Sequence, residues 1–303
     1  MIRVIGKHTA LGLLVVFTAI TLTFALVRVS GDPTSIILPQ DATDAQRVAL
    51  RQSLGLDQPV LEQYFRYLGG AVHGNFGASY FDAEPVSGIV WHFLPNTLLL
   101  AASSFLLTIA LAVPLGTLAA VWRGGYLDRM VQVVSVLGNS MPSFWSAVLL
   151  LQFLAVRLGW FPTYGNQGPA SLVLPTVNLT LFFFPTIARL TRSAVLDVLP
   201  ANYVTTARAK GLTDRRILLV HVIRNASVPV LALLGLQLGS LLGGAVLTEA
   251  VFAWPGIGTL AVRSIGRSDF PVVQGIVAYV AVIFAIVTPC TEILIRRVNP
   301  KLR

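Results

Sequence analysis

Residues 200–229 read PANYVTTARAKGLTDRRILLVHVIRNASVP, and their reading decides the fold. The stretch lies between two long apolar runs. Five bases (Arg208, Lys210, Arg215, Arg216 and Arg224) stand there against a single acid, Asp214. Charges in the middle of a bilayer are costly, so a chain of apolar runs does not place such an island there. The island belongs in water, and basic loops sort to the cytoplasmic side. It reads as a docking element for a cytoplasmic partner, with the rest of the chain as a membrane channel under its control.

Composition supports that division. The chain has 303 residues, of which 55% are hydrophobic and only 12% charged. Soluble domains carry about 25% charged residues. Half that fraction leaves too little polar surface to coat a soluble particle, so the class is an integral membrane protein. The net charge of +9 does not mark a nucleic-acid binder, because the bases cluster in short loops between apolar runs. The single cysteine, Cys290, rules out an internal disulfide, and no Cys/His spacing suits a metal. Arg3 and Lys7 precede an apolar stretch of 21 residues from Thr9 to Val29. Secretory signals have shorter apolar cores and a small-residue cleavage site, so this stretch is expected to be an uncleaved first span.

Six apolar runs approach the length that crosses a bilayer: 9–29, 96–121, 130–156, 171–194, 229–252 and 272–295. Asn178, Pro185 and Arg189 interrupt the fourth. With the N-terminus inside, only seven of the 22 Lys and Arg (Arg28, Arg47, Arg51, Arg66, Arg157, Arg263 and Arg267) fall on the outer side. The N-in, C-in topology follows. Trp91, Trp122, Trp160 and Trp254 sit near run ends, where amphipathic rings settle. The chain therefore divides into a first span (1–29), an extracytoplasmic segment (30–95) and a five-helix core (96–303) that carries the loop 200–229.

Within the extracytoplasmic segment, Thr43 through Leu54 reads as a short helix, with Thr43 as its cap and Gly55 as its stop. Leu61 through Val72 is a second. The segment is either a surface cap or a platform for an extracytoplasmic partner. The fifth run holds Gly235, Gly239 and Gly243, four apart on one helix face, which suits close helix packing or a sliding interface. Ala112, Gly116 and Ala120 are a weaker version in the second run. No P-loop, H-E-x-x-H or G-x-S-x-G motif is present. Glu249 and Glu292 are the acids inside the runs. Glu292 has Arg296 four residues on as a local partner. Asn139, Gln237 and Glu249 are the candidates to line a pathway.

Inside the island, Asn202 is expected to cap a helix that reaches about Lys210, with Tyr203, Ala207 and Gly211 on one face. Gly211 suits a helix stop needing positive φ. Thr213 is expected to cap a second helix, with Asp214 in its first turn. A small-residue face flanked by bases fits a helix pressed into a partner's groove, although such a helix could also lie flat on anionic lipid.

These residues resemble the cytoplasmic coupling loop, often called the EAA motif, of ABC-importer permeases, in the branch that carries dipeptides, oligopeptides or nickel. The similarity covers nearly the whole chain. It includes Gly31-Asp32-Pro33, Leu54-Gly55-Leu56-Asp57-Gln58-Pro59 and Gln63-Tyr64. It continues with Gly74-Asn75-Phe76-Gly77-x-Ser79, Pro85-Val86, Pro95-x-Thr97, Pro142-Ser143-Phe144 and Leu158-Gly159-Trp160-Phe161-Pro162. The later matches are Leu174-Pro175, Arg189-x-x-Arg192, Tyr203 to Gly211, Arg224-Asn225, Thr248-Glu249, Pro255-Gly256-Ile257-Gly258 and the ending Asn299 to Arg303. The general motif's Glu-Ala is Thr205-Thr206 here, and Asn202 stands where the peptide branch often has Asp.

The resemblance implies one of two homologous permease subunits, working with two ATPase subunits and an extracytoplasmic solute-binding protein in a bacterial inner membrane. Tyr203, Thr206, Ala207, Arg208, Ala209, Lys210, Gly211 and Leu212 would engage the ATPase. ATP and Mg would be bound by those partners, with no cofactor in this chain and no catalytic residue. Peptides are the expected cargo, and nickel or another small solute is the alternative. A stand-alone secondary transporter would call for inverted repeats, and an intramembrane enzyme for a nucleophile–base pair. The sequence shows no clear case of either.

Overall fold

The computed structural model describes residues 2–29, 33–39 and 41–298, with backbone alone for 2–8, 35, 36, 242 and 291–298. Gly31, Asp32, the ending 299–303, and the side chains of Arg3, Lys7, Glu292 and Arg296 lie outside this description. In chain order the helices are α1 (Ile2–Val29), α2 (Thr34–Ile37), α3 (Asp44–Ser53), α4 (Val60–Val72), α5 (Val86–Val121) and α6 (Tyr126–Ser140). α7 (Ser143–Leu150) continues as a π-helical stretch to Arg157. A short 3₁₀ turn then leads into α8 (Val173–Val198). α9 (Asn202–Ala209) and α10 (Asp214–Arg216) follow, and a π-helical segment, Ile217–Val222, runs into α11 (Ile223–Val251). α12 (Ile257–Gly266) and α13 (Phe270–Val298) complete the described chain, which contains no strand.

Among the described residues five stretches are long and apolar enough to cross a membrane: Thr9–Val29, Val86–Val121, Pro169–Val198, Asp214–Leu241 and Phe270–Cys290. A sixth is possible only if α6 and α7 count as one span, and these are bent by 106°. The run 130–156, expected as one helix, is thus broken. Met141 is extended (φ −95°, ψ 127°) because the ring of Pro142 disfavours helical backbone in the residue before it. The fifth span also starts earlier than its apolar run, since helix begins within the charged island and carries Pro229 in its interior. Neighbouring helices can satisfy the carbonyl that such a proline frees.

The fold divides into two compact units, Ile2–Asn96 with Gly256–Ile286, and Thr97–Pro255 with the chain from Val287. The division into span, extracytoplasmic segment and core follows expected topology, whereas the units follow packing. In the first unit Thr43 forms a full capping box with Gln46, and Gly55 (φ +66°) ends the helix, as its sequence signals require. Phe24 stacks on Tyr67 at 5.6 Å, and Phe76 meets Tyr279 at the same distance. Burial pushes the Tyr67 phenol well above its ordinary range. Ser79 Oγ donates to Asp269 Oδ2 (2.5 Å), and the Tyr80 amide donates to Oδ1 (3.1 Å). These bonds explain why the chain after 256 groups with the first 96 residues.

In the second unit α8 is the axle. Leu179, Ile187, Ala188 and Asn178 are completely buried on it. α5 meets it at Gly116, where an added Cβ would lie 2.6 Å from the Ala188 carbonyl oxygen, and Ala112 and Ala120 are buried in the same apolar cluster as Ile187 and Ala188. α6 meets it through Gly138, where an added Cβ would lie 2.6 Å from Pro185 Cγ. The glycines of α11 behave differently. Gly235 and Gly239 are half-buried, and Gly243 is exposed, with nothing within 4 Å of an added Cβ. Gly116 and Gly138 thus both bring a neighbouring helix tightly against α8, whereas Gly243 leaves open space.

Candidate functional site

The island folds as a short rooted helix. α9 starts at Asn202, and the residue at the cap position is Ala201 (φ −65°, ψ 142°) with no side-chain cap bond. Asn202 is thus the first helical residue and not the cap. Gly211 has φ +77°, and its amide donates to the Arg208 carbonyl at 2.9 Å while Leu212 N reaches Ala207 O at 3.3 Å. This is the glycine stop expected from the sequence. Thr213 holds the next cap position, but only its backbone carbonyl takes part, accepting from Ile217 N at 3.0 Å.

The faces of α9 are divided cleanly. Val204 and Ala207 are buried in one apolar cluster with Val131, Val195 and Ile217. Tyr203, Thr206, Arg208, Ala209, Lys210 and Gly211 are exposed, and Leu212 is half-buried. The expected common face of Tyr203, Ala207 and Gly211 is therefore split. Four residues advance a helix 40° beyond a full turn, and that drift carries Ala207 inward beside Val204. Arg208 Nε lies 3.6 Å from Asp214 Oδ1, both well exposed, so the pair adds little stability. The outward face offers hydroxyls, cations and one aromatic ring.

The three pathway candidates occupy different settings. Asn139 is exposed two residues before the break that follows α6, and Gln237 is half-buried in the middle of α11. Glu249 is completely buried and accepts from Thr97 Oγ1 at 2.7 Å. Beside it a polar belt crosses the helices. Ser146 Oγ donates to Asn178 Oδ1 (2.7 Å), Asn178 Nδ2 donates to Thr248 Oγ1 (3.0 Å), and Ser103 shares a hydrogen with Thr176 (2.9 Å). The belt ties α5, α7, α8 and α11 together. Its sequence signal was present, since Asn178 is a polar residue inside an apolar run. Among the described residues no three His, Cys, Asp or Glu side chains group as metal ligands.

One pair escaped sequence reasoning. Arg192 forks onto Asp128, with Nε at 2.6 Å from Oδ1 and Nη2 at 2.9 Å from Oδ2. Asp128 is 1% exposed and also accepts from the Gly124 amide and from Gln132 Nε2, both at 2.8 Å. Arg192 stood out within Arg189-x-x-Arg192. Asp128 did not, because it lies just before a run whose hydropathy dominates the local reading.

Comparison with known proteins gives a consistent picture. The family described as "Binding-protein-dependent transport system inner membrane component" matches residues 112–303, and its N-terminal companion family matches residues 1–101. The glutathione transport system permease protein GsiC of Salmonella paratyphi A is 41% identical over 275 residues, covering 90% of this chain and 89% of that protein. The di/tripeptide transport system permease protein DppB of Pseudomonas aeruginosa is 38% identical, covering 100% and 99%. Among solved structures, the inward-facing MetNI methionine ABC transporter superposes with TM-score 0.59 at 22% identity, covering 70% of this chain and 96% of that one. An amino acid ABC transporter gives TM-score 0.54 at 16% identity, covering 70% and 94%.

Proposed function

The chain belongs to the binding-protein-dependent transport system inner membrane components, and from this premise we propose that it is one half of the membrane pathway of an ATP-driven importer of short peptides. The observation that carries the reading is α9. It is short, anchored by Val204 and Ala207, closed by Gly211 and exposed on the rest of its surface. Such a helix can transmit a push without bending. Its exposed bases support a cytoplasmic position for it, and the family supports a bacterial inner membrane with both termini inside.

In this reading α9 sits in a groove of a cytoplasmic ATPase subunit. A homologous second permease completes the pathway, a second ATPase subunit completes the motor, and an extracytoplasmic binding protein delivers cargo. ATP and Mg are held by the ATPase pair, and this chain hydrolyses nothing. Closure of that pair draws the two coupling helices together, and the spans alternate between inward-open and outward-open states. Peptide cargo is supported by the relatives, whose names specify glutathione, itself a tripeptide, and di- and tripeptides.

The test is uptake by the assembled complex in proteoliposomes, with ATP on the ATPase side. Labelled di- and tripeptides should accumulate only when ATP and the binding protein are both supplied. Nickel uptake without peptide uptake would overturn the cargo assignment, and peptide uptake without ATP would overturn the mechanism.

A further inference from the structure

The fork between Asp128 and Arg192 takes no part in the polar belt or in the exposed face of α9, yet it is a two-point ion pair on a buried carboxylate. Every oxygen of Asp128 is used, by Arg192, Gly124 and Gln132. The acid sits in the first turn of α6 and the base toward the end of α8. Val131, three residues on from Asp128, and Ala194 with Val195, just past Arg192, belong to the cluster that receives Val204 and Ala207 of α9. The two inward residues of α9 therefore share one apolar cluster with residues from both sides of this ion pair, and the same cluster includes Ile217 and Val222 of the π-helical segment that follows α10. α6 is also the first half of the bent pair.

An apolar seam alone can slip, because one buried methyl group replaces another at small cost. A planar guanidinium paired in two places to a buried carboxylate fixes rotation and register together. Buried ion pairs add little net stability, and setting register is among their better-attested uses. Building on the coupling role proposed above, we infer that Asp128 and Arg192 are positioning residues that make α6 and α8 move as one body when the cluster they share with α9 is displaced. Displacement of α9 then reaches the bent pair of α6 and α7 and is not lost in slippage between helices.

The test uses the full complex in proteoliposomes and reads peptide uptake per ATP hydrolysed. The variants are Arg192→Lys, which keeps the charge but loses the fork, Asp128→Asn, and the exchange Asp128→Arg with Arg192→Asp. Arg192→Lys should assemble and hydrolyse ATP as the unaltered complex does, with uptake per ATP lowered roughly tenfold. The exchange should recover part of that ratio. An unchanged ratio in both single variants overturns the inference. So does a proportional fall in uptake and hydrolysis, or a loss of assembly in both single variants, since either marks a purely structural pair. Absence of ATP-driven uptake in the unaltered complex would instead count against the importer reading itself.

Discussion

Gly211 holds φ +77° in open space, so its constraint is conformational and not steric. A side chain there would meet no neighbour but would cost about 1–2 kcal/mol in the left-handed region. Gly211→Leu should therefore leave membrane insertion intact while loosening the stop of α9. ATP hydrolysis should persist with much reduced uptake, measured together in proteoliposomes, and normal coupled turnover would rule out the stop as a mechanical element. Glu249 presents the opposite case. It is sealed from solvent and bonded to Thr97. Thr97→Val removes one donor from a buried carboxyl, at a cost of about 1–3 kcal/mol. A lowered unfolding temperature of the detergent-solubilised protein would register it, and no shift would mean that the bond carries no weight.

Two helix crossings give predictions at the next scale up. A Cβ at Gly116 would come within 2.6 Å of the Ala188 carbonyl oxygen, and overpacking of this kind costs about 1–3 kcal/mol. Gly116→Val should lower thermal stability clearly, whereas Gly243→Ala, with open space, should not. Equal effects would show that α5 and α8 relax apart. The break at Met141–Pro142 is the second crossing. Spin labels at the exposed positions Tyr126 and Arg157, in a Cys290→Ala background, span the bent pair. Pro142→Ala should lengthen that distance by allowing α6 and α7 to straighten, and an unchanged distance would assign the bend to packing. Hydropathy located the run 130–156 but not its break, because Pro142 is compatible with both a kinked span and two helices. Capping chemistry was more legible. Thr43 and Gly55 acted locally and behaved as written, whereas Ala201 and not Asn202 holds the cap position of α9.

For the whole molecule, the all-helical membrane architecture and the charged island between apolar runs were readable because composition and charge sorting act over many residues at once. The fork of Asp128 and Arg192 was not, since residues 64 positions apart are joined only by the fold. The polar belt lay between these cases, announced by Asn178 and Glu249 but not by the hydroxyls that answer them. The root of α9 has a further consequence. Only Val204 and Ala207 of that helix are buried at home, so the permease's own fold leaves the other positions almost unconstrained. Replacing Asn202, Thr205, Thr206 and Ala209 together should change stability by less than about 0.5 kcal/mol each, while altering which ATPase pair co-purifies with the chain. A large loss of stability would contradict that separation. Under the proposed docking role, the outer face of α9 is an interchangeable address, and Thr205-Thr206 in place of Glu-Ala is then a change of addressee and not a flaw in the carrier.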